Sequence, residues 1–241
     1  MADTAPGGLI IAILGAESTG KTTLAAALAT RLALDTAQRV AWVPEYLREW
    51  CDHVGRTPLA HEQAAILRTQ HERIDAAAAT HDIVICDTTG VMTAIYSAML
   101  FGDRSLEAPA VARHCRVALT LLTAVDLPWV GDGIQRDGPQ VRAPVDAALR
   151  ELLRRARLPY AVIGGEGEER LARALAAVRP MLMRGDGRFT RLLGDSATRH
   201  QPAAPPQGRR PDGDARRHTR ERWACSCCDV PEYEQALRPR R

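Results

Sequence analysis

The chain has 241 residues, of which 46% are hydrophobic and 25% charged, and its formal net charge at pH 7 is +3. This composition is typical of a globular protein with a sizeable core, and the small charge gives no general argument for binding nucleic acid or a membrane. The longest apolar runs are far shorter than the roughly 20 residues that cross a bilayer, and the N-terminus lacks a basic signal region, so we expect a cytoplasmic protein.

Short apolar runs alternate along the chain with longer stretches that are rich in alanine and leucine. The short runs are apolar throughout, which is typical of parallel strands buried on both faces. Strands separated by helices indicate a doubly wound α/β fold, with helices on both faces of a parallel sheet. In chain order we predict strands at Leu9–Leu14, Arg39–Val43, Asp82–Cys86, Val117–Leu121 and Tyr160–Ile163, with helices at Thr22–Leu34, Leu59–Ala79, Val91–Leu100, Pro144–Arg157 and Glu168–Val178.

The first predicted strand runs directly into GAESTGKTT, and a helix-forming stretch follows. Gly15, four further residues and then Gly20-Lys21-Thr22 make a Walker A pattern in the strand-loop-helix context that this pattern requires. Glycines let backbone N–H groups curl around phosphate oxygens, and the helix N-terminus adds partial positive charge. We therefore predict that the phosphates of ATP bind to this loop, at Gly15, Ala16, Glu17, Ser18, Thr19, Gly20, Lys21, Thr22 and Thr23.

Lys21 is the only lysine in a chain whose other basic side chains of high pKa are all arginines. A compact ammonium on a flexible stem suits a position between two phosphates, whereas a planar guanidinium prefers a forked partner. The third predicted strand is followed by Asp87, where an acid faces the ligand crevice of such a sheet. Thr22 and Asp87 are therefore candidates to hold Mg²⁺, with capping of the next turn as the alternative role of Asp87.

The segment VPEYLREW follows the second predicted strand and begins at the same edge of the sheet. Glu45 is placed to accept a proton from an attacking hydroxyl or to hold a sugar hydroxyl, and Arg48 is suited to steady phosphate charge. The alternative is a simple helix start with an acid in its first turn. Glu45 is our first choice for the acid that orients an acceptor, and Asp87 is the second.

The segment DLPWVGDGIQRDGPQVR follows the fourth predicted strand and is too long for an ordinary connection. It is glycine-rich and charged, as expected of a mobile lid that carries Arg136 and Arg142 towards phosphates. Trp129 in such a lid is suited to stack on a planar ligand. The alternative is a solvated loop anchored by one tryptophan.

A Walker A loop indicates nucleotide binding but not a particular task. The sequence shows neither the long extra helical domain of a ring-forming motor nor an NKxD-like guanine-reading motif. The lid and the acid after the second strand favour an ATP-dependent kinase for a small molecule. The alternatives are a regulatory, metabolite-sensing ATPase that transfers no phosphate to a small molecule and, more weakly, a nucleic-acid-associated ATPase. The turn IGGEGEE is a candidate adenine contact, or a plain turn.

In this order and spacing, GAESTGKTTLA, PEYLRE, ICDTT and DLPWVGDGIQRDG resemble the ribosylnicotinamide kinase domain of NadR-type proteins, over roughly residues 8–180. The resemblance implies a P-loop NTPase fold that uses ATP and Mg²⁺ and phosphorylates the 5′-hydroxyl of nicotinamide riboside, giving the mononucleotide in NAD salvage. It implies catalytic roles for Lys21, Glu45, Asp87 and Arg136, and substrate contacts at Glu45, Tyr46, Arg48, Asp126, Trp129 and Asp132.

Pro44 departs from the pattern, because NadR-type proteins often have an aromatic residue there. Trp42, Tyr46 and Trp129 remain as candidates to stack on the nicotinamide ring. The sequence carries neither an HxGH-type adenylyltransferase signature nor an N-terminal DNA-binding segment, so we expect a stand-alone kinase-like domain whose partner is a small nucleoside.

The composition changes after about Arg184, and we expect the kinase-like domain to occupy residues 1–190, followed by a basic, disordered tail over 191–241. In that tail Cys225 and Cys228 fit a CxxC zinc pair, for which His218 and Cys227 would be further ligands. A disordered tail with reactive thiols is the alternative. The scattered cysteines at 51, 86 and 115 suit reduced thiols in the cytosol. We expect no membrane or nucleic-acid partner, and the sequence does not indicate an oligomeric state.

Overall fold

The computed structural model describes residues 7–130 and 138–184, without the side chains of residues 183 and 184. These residues form one five-stranded sheet and seven α-helices, with single 3₁₀ turns at Ala60–Glu62 and Pro139–Val141. The strands are β1 (Leu9–Leu14), β2 (Val40–Val43), β3 (Ile83–Asp87), β4 (Leu119–Thr123) and β5 (Tyr160–Ile163). The helices are α1 (Lys21–Asp35), α2 (Tyr46–Val54), α3 (Gln63–Thr80), α4 (Gly90–Phe101), α5 (Glu107–His114), α6 (Arg142–Arg155) and α7 (Gly167–Arg184).

The strand order is β2-β3-β1-β4-β5, and every pairing is parallel. β1 lies in the middle, where Ile11 pairs with Ile85 on one side and with Leu119 on the other. The chain passes from β1 to the edge strand β2, returns to β3 beside β1 and then continues to β4 and β5 on the other side of β1. This change of direction leaves a crevice at the carboxyl ends of the central strands. The predicted parallel α/β fold is confirmed, and the Walker A loop follows β1 at that crevice.

The hydrophobic core covers both faces of the sheet, which explains why the strands are apolar throughout. Ile11 and Ile13 of β1 pack with Leu28 of α1 and Val178 of α7 on one face. On the other face, Leu122 of β4 joins the apolar sides of α4 and α6, and Val84 of β3 packs against α3. Burial of this kind contributes about 25 cal/mol per Å² of apolar surface, so the sheet is a rigid support for the loops at its edge.

Two helices were not among the sequence predictions. α2 begins at Tyr46, so the segment after β2 is a helix start and then a helix of nine residues. α5 is a short helix with Pro109 in its first turn, a position that tolerates proline because the first N–H groups of a helix have no intrahelical partner. The end of α5 also moves the start of β4 from the predicted Val117 to Leu119, because the Val117 N–H donates to the His114 carbonyl at 2.9 Å, and the strand ends at Thr123 instead of Leu121.

A buried histidine joins α5 to the sheet and should make stability depend on pH. His114 Nδ1 lies 3.1 Å from Thr89 Oγ1, and Nε2 lies 2.8 Å from Thr120 Oγ1. Burial lowers the pKa of His114 to about 4, with a smaller contribution from the charge of His71. Because an unfolded histidine titrates near pH ~6.5, only the unfolded chain gains this proton between about pH 6.5 and 4.

We expect the free energy of unfolding to fall by roughly 2–3 kcal/mol as the pH drops through that window, and to be fully restored above pH ~6.5. Urea unfolding of the wild type and of His114→Gln, at about pH 7.5 and about pH 4.5, measures the effect. The variant should lose most of this pH dependence, whereas replacement of the exposed His61 by glutamine should retain it. Equal pH dependence in the wild type and His114→Gln would contradict the assignment.

Among the described residues no helix is both long enough and apolar enough to cross a membrane. Several predicted features lie outside the described residues, so their predictions stand as made. They are Asp132 and Arg136 of the lid, the domain boundary near residue 190, and the tail with His218, Cys225, Cys227 and Cys228.

Candidate active site

The loop after β1 passes so close to β4 that its first residue has to be glycine. Gly15 has φ +152°, and a Cβ at this position would lie 2.0 Å from Thr123 Oγ1. Gly20, the residue before α1, has φ +74°, in the left-handed region that other residues rarely adopt. The two glycines of the pattern therefore fix the path of the loop against the sheet, and α1 begins at Lys21 with its N-terminus at the crevice.

Hydroxyl groups hold the loop onto β4. Thr19 Oγ1 lies 2.8 Å from the Ala16 carbonyl oxygen and 2.7 Å from Thr123 Oγ1, which in turn lies 3.1 Å from the Leu14 carbonyl oxygen. Each hydroxyl has a single proton, so two of these three contacts can be hydrogen bonds at the same time. Both threonines are fully buried. Lys21 Nζ also donates to the Ala16 carbonyl at 2.8 Å, so the lysine folds back over its own loop.

Asp87 ends β3 beside this loop and is 1% exposed. Its Oδ1 is buried without a hydrogen-bond partner among the residues that the structure describes. Burial raises the pKa of the Asp87 carboxyl, against the opposing influence of a hydrogen bond with Thr22 and of the charges of Lys21 and Arg48. Thr22 and Asp87 are thus neighbours. An unpaired carboxylate oxygen beside a hydroxyl group is a set of oxygen ligands that suits Mg²⁺.

Asp87 does not cap the helix that follows it. Thr89 takes that position at the start of α4, where its Oγ1 accepts the Val91 N–H at 3.3 Å. Between the two, Thr88 has φ +71°, a conformation that costs free energy for a β-branched residue and is found mostly at functional sites. The turn that positions the Asp87 carboxylate is therefore strained and is stabilised by its buried surroundings.

Glu45 occupies the N-cap position of α2, but its side chain makes no capping hydrogen bond within the described part of the chain. The side chain is 13% exposed, and its Oε2 lies 3.9 Å from Arg48 Nε. Burial raises the pKa of the Glu45 carboxyl, the charge of Lys21 acts in the opposite direction, and the charge of Asp87 raises it further. Glu45 therefore lies near both predicted catalytic groups of the P-loop region.

The backbone on each side of Glu45 is held by one buried amide. Gln70 of α3 accepts the Tyr46 N–H at 2.7 Å through Oε1, and its Nε2 donates to the Pro44 carbonyl at 3.4 Å. Gln70 itself is 3% exposed. The side chain of Gln70 thus fixes the turn from β2 into α2, and with it the position of Glu45.

A cavity of ≈ 220 Å³ opens between the P-loop and helices α2, α4 and α6, and we call it the Glu45 cavity. Its charged lining consists of Glu17, Lys21, Glu45 and Arg48. The remaining lining residues are mostly apolar, with one buried glutamine: Leu47, Cys51, Thr57, Pro58, Gln63, Tyr96, Met99, Leu100, Val141 and Val145. Charged groups beside the phosphate loop and an apolar wall make this cavity a candidate for the acceptor molecule.

A second cavity, of ≈ 370 Å³, lies on the other side of the loop, and we call it the Gly167 cavity. Gly20, Thr23 and Leu127 line it, together with the first turn of α7 from Gly167 to Leu171. The turn IGGEGEE leads into this helix, so the candidate adenine contact lies beside the start of α1. Residues of the phosphate loop and of the first turn of α1 thus line both cavities.

A buried arginine joins the loop, the lid start and the last turn. Arg170 of α7 donates to the Thr19 carbonyl through Nη1 and to the Gly165 carbonyl at 2.7 Å through Nε, and its Nη2 pairs with Asp126. Asp126 also accepts the Gly165 N–H at 2.7 Å. Asp126, a predicted substrate contact, is therefore engaged in an internal ion pair behind the P-loop.

The other predicted lid residues that the structure describes are Trp129 and Arg142, and they lie in different surroundings. Trp129 is half-buried, and its neighbour Val130 exchanges hydrogen bonds with Ser18 of the P-loop, so the lid start touches the loop. Arg142 is 8% exposed at the start of α6, and its Nε and Nη2 find no partner in the described ranges. Neither Trp129 nor Arg142 is among the described residues that line the Glu45 cavity.

Most of the predicted catalytic residues in the described ranges lie in or beside the Glu45 cavity, whereas the aromatic residues predicted to contact substrate do not line it. Lys21, Glu45 and Arg48 share the Glu45 cavity, and Asp87 adjoins it. Tyr46 is covered by Arg73, whose guanidinium carbon lies 4.4 Å from the ring centroid, and Trp42 is 42% exposed on the edge strand β2. Residues that carry the site but were not predicted from sequence are Gln63, Gln70, Thr123 and Arg170.

A family model described as an AAA domain matches residues 10–170. The chain belongs to the AAA domain family. A curated relative of this AAA domain chain, the thymidylate kinase of Xanthomonas euvesicatoria pv. vesicatoria (strain 85-10), is 33% identical over 175 residues, which are 68% of this chain and 75% of that protein. The thymidylate kinase of Xanthomonas oryzae pv. oryzae (strain PXO99A) is 33% identical over 168 residues, 65% of this chain and 72% of that protein.

Two crystal structures of NadR protein, one in complex with NAD and AMP-PNP and one with NR, each share the fold of the AAA domain chain with a TM-score of 0.56. Identity is 18% and 20%, and the match covers 72% of this chain. It covers 49% and 50% of the NadR chains, so the chain spans about half their length. The expected NadR-type P-loop fold is confirmed, and with the thymidylate kinase relatives the AAA domain chain is a P-loop protein of the nucleoside and nucleotide kinase type.

Proposed function

We propose that the protein is an ATP-dependent kinase that phosphorylates the 5′-hydroxyl of a nucleoside, with nicotinamide riboside as the first candidate. The observation that carries the proposal is the Glu45 cavity, in which Lys21 of the P-loop and the buried Glu45 share a wall. Its small volume and its apolar side suit one ring-bearing small molecule. The resemblance of GAESTGKTTLA and PEYLRE to ribosylnicotinamide kinase domains supports nicotinamide riboside as that molecule.

Phosphoryl transfer passes through a loose transition state, so positioning and charge stabilisation supply most of the catalysis. In the proposed reaction the acceptor hydroxyl oxygen bonds to the γ-phosphorus, the bond to the β,γ-bridging oxygen breaks, and ADP leaves with that electron pair. Glu45 accepts the hydroxyl proton, and Asp87 is the second choice for this role. Lys21 neutralises oxygen charge as it develops, with the loop N–H groups of Gly15 to Thr23 around the phosphates.

Thr22 and Asp87 fit a Mg²⁺ site, because Asp87 Oδ1 is buried without a partner in the described residues and adjoins the Thr22 hydroxyl. When bound there, Mg²⁺ would neutralise charge on the phosphate oxygens. The raised pKa of Asp87 reflects burial, and a cation beside it would favour the ionised carboxylate. Arg48 and the lid residues Trp129, Asp132 and Arg136 are proposed to contact substrate, while Asp126 and Tyr46 contribute through the position of the elements that carry them.

A nucleoside monophosphate is the competing acceptor, because two relatives of the chain are thymidylate kinases. Arg48 in the Glu45 cavity is the described side chain that favours it, since a phosphate on the acceptor needs a cation. A regulatory ATPase that transfers no phosphate to a small molecule is the other alternative. All three share the P-loop and differ in what stimulates turnover.

ADP release from Mg-ATP, measured with nicotinamide riboside, thymidine, other nucleosides and dTMP, tests the proposal. We expect turnover to depend on the acceptor, to be fastest with nicotinamide riboside, and to be lost in Lys21→Ala. Turnover with another nucleoside would retain the kinase mechanism and change the substrate. Slow hydrolysis that no acceptor stimulates, yet that still needs Lys21, would refute the kinase assignment in favour of a regulatory ATPase.

Gln70→Leu should impair the proposed reaction without removing any group that touches a substrate. Loss of the amide frees the Pro44 carbonyl and the Tyr46 N–H, so Glu45 loses its fixed position. We expect kcat to fall by about 10- to 100-fold with smaller changes in both KM values, as for a catalytic group displaced by about 1 Å. As Glu45 gains access to water, its pKa falls, so the acidic limb of the pH-rate profile should move to lower pH.

Gln38→Leu, at a glutamine beyond the end of α1, is the matched control and should leave the pH-rate profile unchanged. A Gln70→Leu enzyme that is merely less stable would lose active protein but keep the wild-type pH limb. That result would show that Gln70 has no part in positioning Glu45.

A further inference from the structure

The Glu45 cavity contains two buried oxygen atoms that have no hydrogen-bond partner among the described residues. One is Glu17 Oε2, at the P-loop end, and the other is Gln63 Oε1, from the first residue of α3. Gln63 is 1% exposed, so its amide is cut off from bulk water. A buried polar atom without a partner destabilises the fold, so we expect a bound molecule to supply a hydrogen-bond donor to each of these oxygens.

Both oxygens are hydrogen-bond acceptors, and this defines the groups that a bound molecule needs. A carboxylate such as Glu17 accepts O–H or N–H donors and repels phosphate oxygens. The amide of Gln63 accepts an N–H or O–H through Oε1, and its Nε2 can serve a carbonyl beside that donor. An acceptor molecule that satisfies both atoms therefore carries donors at two separate positions.

The charges of the side chains that line the cavity also favour an acceptor without a phosphate. Glu17 and Glu45 are balanced by Lys21 and Arg48, and the charge of Glu17 is among the influences that raise the pKa of Glu45. In the proposed reaction Lys21 serves the phosphates of ATP, which leaves two acids and one base for the acceptor. The described lining thus carries no surplus positive charge for an acceptor that already bears a phosphate.

We propose that Glu17 and Gln63 are specificity-determining residues for the acceptor, and that they select a hydroxyl-bearing nucleoside that has no phosphate and whose ring carries an amide or imide N–H. Glu17 accepts a hydrogen bond from a hydroxyl of the sugar, and its charge disfavours the binding of a nucleoside monophosphate. Gln63 accepts a hydrogen bond from the N–H group of the ring. The inference rests on the proposed kinase function and assigns the P-loop glutamate to the acceptor rather than to ATP.

Glu17→Gln and Gln63→Leu test the two assignments, with Glu72→Gln on the exposed side of α3 as the control. In Glu17→Gln we expect kcat/KM for nicotinamide riboside to fall about 10- to 100-fold, and the ratio of nicotinamide riboside to dTMP turnover to fall at least about tenfold. The KM for Mg-ATP should stay within about twofold of the wild-type value. Gln63→Leu should discriminate less between nicotinamide riboside and an analogue in which an ester replaces the carboxamide.

Thermal unfolding without ligand supplies a readout that does not depend on activity. Gln63→Leu removes an unsatisfied buried oxygen, and Glu17→Gln removes the negative charge of a carboxylate that has a buried, unpaired oxygen. Both variants should therefore unfold at the wild-type temperature or above it, although acceptor turnover falls. A Glu17→Gln enzyme whose KM for Mg-ATP rises while acceptor selectivity is unchanged would place Glu17 in the nucleotide site and overturn its assignment here. Unchanged discrimination by Gln63→Leu would overturn the assignment of Gln63.

Failure of the kinase proposal gives a different result. If the wild type shows no acceptor-dependent ADP release, the proposed function is wrong, and calorimetric titration with nicotinamide riboside then decides the inference on its own. Binding that is weakened in Glu17→Gln and Gln63→Leu but not in Glu72→Gln would support the two assignments. Equal binding to all four proteins, or binding to none of them, would overturn both.

Discussion

Replacement of Lys21 by methionine should lower kcat/KM for acceptor phosphorylation by about 10³-fold, the loss of roughly 4 kcal/mol of transition-state stabilisation. Methionine keeps the length of the stem and removes only the ammonium. Within the described residues this ammonium makes a single hydrogen bond, to the Ala16 carbonyl. The fold should therefore survive, and steady-state ADP release together with thermal unfolding measures both effects.

Lys21→Arg separates the geometry of the charge from its presence. A guanidinium is planar and forked, so we expect a loss of at least about tenfold even though the positive charge remains. Arg31→Lys is the matched control, because Arg31 pairs with Asp35 on the exposed side of α1, where such pairs contribute about 0–1 kcal/mol. Full activity in Lys21→Met with tight Mg-ATP binding would remove Lys21 from the mechanism.

Replacement of Asp126 by leucine should destabilise the protein by about 3 kcal/mol, which is the lower end of the range for removing one partner of a buried ion pair. The Arg170 side chain is 5% exposed, so the variant leaves a guanidinium buried without its anion. The Asp126 side chain is 37% exposed, which moderates the loss. The midpoint of urea unfolding gives the free energy, and the KM for Mg-ATP should rise because Arg170 also holds the Thr19 carbonyl of the P-loop.

The double replacement of Asp126 and Arg170 by leucine distinguishes a structural ion pair from a direct contact with substrate. Without the buried charge, we expect the double variant to be more stable than Asp126→Leu alone. Glu169→Leu, which breaks the exposed pair with Arg173 on the same helix, should change stability by less than about 1 kcal/mol. An Asp126→Leu protein with wild-type stability and weakened acceptor binding would restore Asp126 to the substrate site.

The features that a local sequence pattern determines could be predicted. The Walker A loop could be predicted because its glycines, its lysine and its flanking strand and helix are contiguous. Asp87 could be predicted because the end of an apolar run fixes the edge of the sheet at which the acid lies. The parallel sheet itself follows from strands that are apolar on both faces, and Ile11 and Val84 indeed face opposite helical layers.

The contacts that could not be predicted join residues that are far apart in the chain. Gln70 holds the turn at Glu45 from 24 residues further along, and Arg170 reaches Asp126 across 44 residues and Thr19 across 151. Glutamine and arginine on a helix give no local sign of such contacts, because the same residue types cover ordinary solvated faces. α2 was not among the predicted helices, and a helix start was only the alternative interpretation of the segment after β2, although Pro44 and Glu45 lead directly into the first turn of α2.

The hydrogen bond from Lys21 to the Ala16 carbonyl has a consequence for the timing of the catalytic cycle. The loop's own carbonyl oxygen is a hydrogen-bond acceptor for the ammonium, so nucleotide binding exchanges one acceptor for another. Such an exchange adds little to the affinity of the protein for bound nucleotide in the ground state. It also means that the Ala16 carbonyl oxygen competes with the product phosphates for Lys21. We therefore expect Lys21 to form its hydrogen bond with the Ala16 carbonyl again as ADP leaves, so that the loop itself assists product release.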